Sequence, residues 1–175
     1  YFDPHDAYNP PDRFKGIFTK HEKYSRDRRH QGIHLAKIPQ GKREPISDEH
    51  RQFLIDAYDE DIRYTDYQIG RIVRALKSEG IYKNTLIIIT ADHGEELGDN
   101  KNRWDHCQLV SQEEIWVPLL IKIPGGKNPR NIKAAVQTID ILPTLAGYFE
   151  KRIPGRDDSE FDGVNLMPLI QGQFH

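Results

Sequence analysis

Residues 86–95 read Leu-Ile-Ile-Ile-Thr-Ala-Asp-His-Gly-Glu, an apolar run that ends in a short polar turn. Branched apolar residues in an unbroken run are typical of a strand buried on both faces of a parallel sheet. Asp92 and His93 follow it directly, at the strand end where ligands gather in open α/β sheets. A carboxylate oxygen and an imidazole nitrogen both bind divalent cations, and Gly94 gives the backbone freedom for adjacent side chains to converge. Taken alone, the segment is interpreted as an ordinary strand-to-loop turn with a helix-capping Asp, and a metal site is the alternative.

The flanking segments predict alternating helices and strands. Ser47 is a predicted N-cap for a long amphipathic helix whose apolar stripe faces the core, and Gly80 is its predicted C-terminal glycine. The further predictions are a strand at 117–123, a turn at 124–126, a short third strand at 134–138, a helix at 139–149, a loop at 151–162 and a short apolar helix or turn at 166–170. This alternation indicates an α/β layer architecture.

Composition excludes several classes of protein. The 175 residues are 30% charged and 37% hydrophobic, as in globular proteins, and no apolar run approaches the roughly 18 residues of a membrane span. A net charge of -2 gives no reason to expect nucleic acid as a partner. Cys107 is the single cysteine, so an internal disulfide is excluded.

Two further motifs contain histidine. His5 lies in Asp3-Pro4-His5-Asp6, and taken alone it is interpreted as a surface histidine. The alternative is that the prolines restrain its loop, so that His5 donates to an anion or acts as an acid or base. His106 lies in Trp104-Asp105-His106-Cys107 and could contact a leaving group. Cys107 is interpreted as inert, because neighbours in sequence seldom face each other. The basic cluster at 20–29 is interpreted as a solvated loop, with a wall for an anionic substrate as the alternative.

Taken together and in order, these motifs resemble the sulfatase family of the alkaline phosphatase superfamily. The matching segments are 3–8, 61–71, 80–85, Thr90-Ala91-Asp92-His93-Gly94-Glu95 with its continuation to 99, Val117-Pro118-Leu119-Leu120-Ile121, 139–145 and 162–169. The resemblance implies an alkaline phosphatase-like α/β fold with a mostly parallel sheet flanked by helices. It also implies that residues 1–175 are a single partial catalytic domain, the C-terminal half of a sulfatase-like domain, within which residues 1–46 form a loop-rich active-site segment.

The same resemblance implies roles for four residues. Asp92 matches a metal ligand, and His93 stands where calcium-dependent sulfatases often have Asn. Calcium is therefore the first expectation for one divalent cation, and the nitrogen ligand makes manganese and zinc alternatives. His5 is expected near the ester group. His106 is expected to contact the substrate anion or the leaving group, although Cys107 replaces the glycine that usually follows.

The implied activity is metal-dependent hydrolysis of sulfate esters, with a small anionic substrate such as a sulfated sugar or an aryl or alkyl sulfate. The family's nucleophile is a formylglycine made within a Cys/Ser-x-Pro/Ala-x-Arg motif, and no such motif occurs in this sequence. We therefore expect the nucleophile upstream of Tyr1 and an inactive fragment. Hydrolysis of phosphate or phosphonate monoesters, phosphoethanolamine transfer, and a catalytically silent binding module are the alternatives. A periplasmic, extracellular or lysosome-like compartment fits the family, and the oligomeric state stays open.

Overall fold

The computed structural model describes residues 4–5, 7–19, 46–98, 104–106, 110–126, 129–150 and 161–173. The chain divides into two compact units, Tyr1–Pro124 and Gly125–His175. The assignment of residues 1–175 to one partial domain stays a prediction. The basic cluster at 20–29, Cys107 and residues 151–160 of the predicted loop lie outside the described residues.

The longest element of the first unit is helix α1, Asp48–Ser78, as predicted. The Ser47 side chain accepts a hydrogen bond from a backbone N–H of the first turn, which confirms it as the N-cap. Gly80 has a φ of 71°, and the N–H of Ile81 donates to the carbonyl of Leu76 at 3.1 Å, as in a Schellman ending. No helix within the described ranges is both long and apolar enough to cross a membrane.

The core of the first unit lies against the N-terminal turns of α1. It consists of Phe53, Leu54 and Trp104, with Ile46 and Leu97 packed against it. The predicted apolar stripe is therefore confirmed for the first turns of the helix. Further along, Ile62 is 43% exposed, so that the stripe is not core along its whole length.

Two strands form the larger sheet of the first unit, and their direction corrects the sequence-based expectation. Strand β1, Ile87–Thr90, pairs with the strand at Leu119–Lys122 in antiparallel orientation, with Thr90 opposite Leu119. The expectation of parallel neighbours is wrong for this pair. The three isoleucines of β1 are half-buried and Thr90 is exposed, so complete burial on both faces is also wrong. A hydrophobic run does not predict the direction of the neighbouring strand, because parallel and antiparallel ladders both satisfy the backbone hydrogen bonds.

A smaller sheet lies in the connection between these strands. Strand β2, Glu96–Leu97, pairs antiparallel with β3, Trp104–Asp105, and Glu96 stands opposite Asp105. A short helix α2, Gln112–Ile115, then leads into β4, Leu119–Lys122. The chain thus leaves β1, turns through β2, β3 and α2, and returns beside its own starting point.

The second unit is helical. It contains a 3₁₀ turn at Thr138–Asp140, helix α3 at Ile141–Phe149 and helix α4 at Met167–Gln171, which confirm the predicted helices within two residues. The predicted strand at 134–138 is wrong, because this segment is irregular until the 3₁₀ turn begins. Its side chains are exposed, and no strand lies beside it among the described residues.

Buried polar groups join the two helices of the second unit. The Asp140 carboxylate accepts hydrogen bonds from the N–H groups of Gln137 and Val164, both at 2.8 Å. The Thr144 hydroxyl donates to the carbonyl of Asp140 at 2.6 Å and accepts from the N–H of Leu166 at 2.9 Å. Thr144 is 2% exposed, so these bonds are shielded from water.

Replacing Thr144 by valine should therefore destabilise the protein. Thr144→Val keeps the shape but leaves the Leu166 N–H without its acceptor, at a cost of about 1–3 kcal/mol in the free energy of unfolding. Urea denaturation followed by circular dichroism measures the change. Thr144→Ser, which retains the hydroxyl, is the matched control and should lose less. Equal losses in the two variants would contradict a role for the hydroxyl.

Candidate active site

Asp92 and His93 occupy the turn immediately after β1. The N–H of His93 donates to Oδ1 of Asp92 at 3.0 Å, and Nε2 of His93 lies 3.8 Å from Oδ2 of the same carboxylate. The Asp92 side chain is 91% exposed and the His93 side chain 37% exposed. Both donor groups can therefore be reached by an ion or a substrate.

Hydrogen bonding favours the charged form of Asp92. The backbone N–H groups of Asp92 itself and then of His93 lower the pKa of this carboxyl below its usual value, and positive charge on His93 and His106 acts in the same direction. Asp92 is therefore a carboxylate at neutral pH, the form that binds a cation.

The orientation of the His93 ring suits metal binding. Its Nδ1 atom lies 2.8 Å from the carbonyl oxygen of Gly94, and a protonated Nδ1 donates to that oxygen. The lone pair then lies on Nε2, the nitrogen that faces Asp92; such second-sphere hydrogen bonds commonly fix the tautomer of metal-binding histidines. Within the described residues, no three His, Cys, Asp or Glu side chains are grouped to hold a metal ion. Asp92 and His93 thus fit a partial ligand set.

Gly94 brings this turn into contact with the backbone of α2. Its N–H donates to the carbonyl of Glu114 at 2.6 Å. A Cβ atom at position 94 would lie 2.0 Å from the carbonyl oxygen of Glu113, which is far inside van der Waals contact. Glycine is required here for close approach of two backbone segments, a reason that differs from the conformational freedom inferred from the sequence.

The structure brings the three histidines predicted as site residues together. The His93 and His106 rings stack with their centroids 4.0 Å apart, and the ring of His5 meets that of His106 edge-on at 5.4 Å. His106 follows β3, so its position depends on the β2–β3 pairing. Segments that are distant in sequence therefore converge on the turn that follows β1.

Helix α1 holds the segment that contains His5. Tyr8 is buried and packs edge-on against Tyr58 of α1, with ring centroids 5.2 Å apart. Further along the segment, the buried Glu60 side chain accepts hydrogen bonds from the N–H groups of Phe18 and Thr19, both at 3.0 Å. These contacts anchor an otherwise loop-rich segment beside the site.

Two residues of this cluster were missed by sequence reasoning. Glu95 is 5% exposed, and its Oε2 lies 3.5 Å from Nδ1 of His106. Tyr58 lies near enough to Glu95 to respond to its charge: burial first, then the charges of Glu95 and Asp59, raise the pKa of the Tyr58 hydroxyl. Glu95 stood next to the predicted ligands, but Tyr58 belonged to an apolar stripe and carried no separate signal.

The raised pKa of Tyr58 predicts a loss of stability at alkaline pH. Since the folded-state pKa exceeds the unfolded-state value of about 10, its contribution is fully present below pH 10 and is lost as pH rises through the folded-state pKa. Tyr58→Phe removes this contribution, so its free energy of unfolding should fall less steeply above about pH 10. Urea denaturation from neutral to alkaline pH compares the two slopes. Parallel slopes would contradict the prediction.

Comparisons with known proteins identify the family of the chain. A family model described as Sulfatase matches residues 2–151. The ulvan-active sulfatase of Formosa agariphila is 37% identical over 109 residues, which cover 61% of this chain and 20% of that protein. The steryl-sulfatase of Mus musculus is 32% identical over 131 residues, which cover 68% of this chain and 21% of that protein. The chain spans about a fifth of the length of these relatives.

A solved structure supports the same assignment. The phosphonate monoester hydrolase of Silicibacter pomeroyi superposes with a TM-score of 0.64 and 35% identity, over 77% of this chain and 25% of that one. The predicted alkaline phosphatase-like fold class is thereby confirmed, with the antiparallel pair as part of it. Sulfatases and phosphonate monoester hydrolases are in general metal-dependent. The family model covers most of the chain, and this chain belongs to the sulfatase family of the alkaline phosphatase superfamily.

Proposed function

We propose that this chain contributes metal-binding and substrate-side residues to a metal-dependent hydrolase of sulfate esters. The observation that carries the proposal is the convergence of Asp92, His93, His106 and His5 on one turn of a sulfatase-family chain. A carboxylate and three imidazoles in contact can hold both a cation and the proton chemistry of ester cleavage.

Asp92 and His93 are the proposed metal ligands. A bound divalent cation would neutralise charge on the ester oxygens. Calcium is the first candidate because of the family, and the imidazole nitrogen of His93 makes manganese and zinc the alternatives. Since these two side chains are a partial set, further ligands are proposed to come from residues outside the described ones.

His106 and His5 are the proposed substrate-side groups. Hydrolysis leaves a negative oxygen on the departing alcohol, and a protonated imidazole can donate a proton to it. His106 is the better candidate because its side chain is only 13% exposed. Its ring is packed between the rings of His93 and His5, which hold it in place. His5 is exposed and is assigned to binding the anion.

Hydrolysis of phosphonate monoesters is the second candidate. It is favoured by the 35% identity to a solved phosphonate monoester hydrolase. Tetrahedral phosphorus and sulfur oxyanions present similar oxygens to a cation and to imidazole donors. The sulfatase names of the relatives and the family model support sulfate esters as the first candidate.

The proposal is tested with the full-length protein that carries this chain. It is incubated with matched aryl esters of sulfate and of methylphosphonate, and with sugar and alkyl sulfates, before and after removal of divalent cations by a chelator. We expect faster turnover of a sulfate ester, its loss with the chelator, and its recovery on adding calcium or manganese. Faster phosphonate turnover would favour the second candidate. The absence of turnover of any ester would overturn both.

The isolated 175-residue chain provides a separate test. With no Cys/Ser-x-Pro/Ala-x-Arg motif to supply the family's nucleophile, we expect negligible hydrolysis of an aryl sulfate in the presence of divalent cations. Metal-dependent turnover by the isolated chain would contradict the proposal that the nucleophile comes from elsewhere. If the full-length protein is inactive and the chain still binds a sulfate ester, a silent binding module is favoured instead.

A further inference from the structure

The buried carboxylate of Glu95 lies against the imidazole of His106. Its Oε2 is 3.5 Å from Nδ1, with the glutamate 5% and the histidine 13% exposed. We propose that Glu95 is a positioning residue for His106, whose buried carboxylate fixes the ring so that Nε2 is presented to the ester. This inference rests on the proposed role of His106 in sulfate ester hydrolysis.

The backbone itself sets up this contact. In the small sheet Glu96 pairs with Asp105 and Leu97 with Trp104. Continuing the same antiparallel register by one residue places Glu95 opposite His106. Side chains that stand directly opposite each other in such ladders are close enough to interact. The encounter of the two residues therefore follows from the β2–β3 pairing.

Burial gives the contact its positional strength. The 3.5 Å separation is an ion-pair distance and not a hydrogen bond. Because little solvent screens a carboxylate that is almost removed from water, its negative charge still favours a proton on the nearer nitrogen, Nδ1. The two nitrogens of imidazole lie on different edges of the ring, so a contact at Nδ1 leaves Nε2 directed away from Glu95. In catalytic triads a carboxylate beside Nδ1 fixes the tautomer and the orientation of the histidine, there through a hydrogen bond.

Two further histidine rings contact the His106 imidazole. One face of the ring stacks on His93 at 4.0 Å, and His5 meets it edge-on at 5.4 Å. These rings restrict the plane of His106 but do not choose between its nitrogens. Glu95 distinguishes the two nitrogens, because its Oε2 approaches Nδ1.

Side-chain NMR of the 175-residue chain tests the positioning directly. Long-range hydrogen–nitrogen spectra are recorded at about pH 9, above the ordinary titration range of imidazole, and His106→Asn identifies the signal of His106. We expect the proton of His106 on Nδ1 in the wild type and a shift toward the Nε2–H form in Glu95→Ala. Glu95→Gln, which keeps the shape and a partly negative oxygen but loses the full charge, should give a smaller shift than Glu95→Ala.

Glu96→Gln is the matched control, because it removes the adjacent buried carboxylate from the same strand. It should leave the His106 signal unchanged even if it lowers the stability of the protein. A wild-type spectrum in Glu95→Ala, or an equal shift in Glu96→Gln, would overturn the positioning role.

Kinetics of the full-length protein provide the second readout. Glu95→Ala should lower kcat about 10- to 100-fold with little change in KM, and Glu95→Gln should recover part of the loss. An unchanged kcat in Glu95→Ala would overturn the role. If the wild type hydrolyses no ester, the proposed function fails, and the spectra alone decide whether Glu95 positions the ring.

Discussion

Asp92→Ala should abolish metal-dependent ester hydrolysis by the full-length protein. The substitution removes a carboxylate that its own backbone surroundings keep ionised and that is one of the two proposed metal ligands. A cation at such a site contributes several kcal/mol to charge stabilisation, so we expect kcat/KM to fall about 1,000-fold or more. Steady-state kinetics with an aryl sulfate measure this loss.

Metal binding separates this effect from misfolding. Isothermal titration calorimetry with manganese should show weaker binding by Asp92→Ala, while its free energy of unfolding stays close to that of the wild type, because the side chain is 91% exposed. Asp66→Ala removes an exposed carboxylate from α1, distant in sequence from the site, and serves as the control. Full manganese affinity in Asp92→Ala would remove Asp92 from the ligand set.

Gly94→Ala should damage both the fold and the site. The new methyl group would lie 2.0 Å from the carbonyl oxygen of Glu113, a backbone atom that cannot move away independently. Relief of this clash requires separation of the turn from α2, which also stretches the 2.6 Å hydrogen bond to Glu114. Overpacking and a weakened hydrogen bond together should cost about 2–4 kcal/mol in the free energy of unfolding. Manganese affinity should fall too, since His93 is attached to the displaced backbone.

Gly70→Ala is the matched control for this glycine. Position 70 lies within α1, where the added methyl group would meet only the flexible end of the Arg74 side chain, at 3.3 Å. Alanine is favoured over glycine in a helix by about 0.5–1 kcal/mol, so this variant should be more stable than the wild type. If Gly94→Ala matched the wild type in both stability and manganese binding, the close approach would not be a constraint on the site.

Local signals predicted the helices well. Ser47 and Gly80 mark the two ends of α1 as expected. A capping hydroxyl and a glycine at positive φ act on neighbouring residues only, so the local sequence is enough to predict them. The pairing direction of β1 could not be predicted in the same way, since it depends on the path of the chain from Asp92 back to Leu119. The predicted strand at 134–138 failed because β-branched residues favour a strand only where a neighbour pairs with it.

The residues of the candidate site were likewise only partly predictable from the sequence. Asp92 and His93 could be proposed as site residues because they directly follow an apolar run. The resemblance to the family added His5 and His106. Glu95 could not be assigned a partner, because its contact with His106 depends on the register of two strands of two residues each. Elements so short leave no periodic pattern in the sequence.

The return of the chain from β1 to β4 has a consequence for protein engineering. Thr90 and Leu119 are cross-strand partners, so residues 91–118 begin and end side by side. Asp92, Glu95 and His106 all lie within this segment. It could be exchanged between family members as one unit, because its two ends join the rest of the chain at the paired residues Thr90 and Leu119. Such an exchange would transfer the proposed ligands Asp92 and His93 together with His106. The residues at the positions of His5 and Tyr58 would be those of the recipient protein.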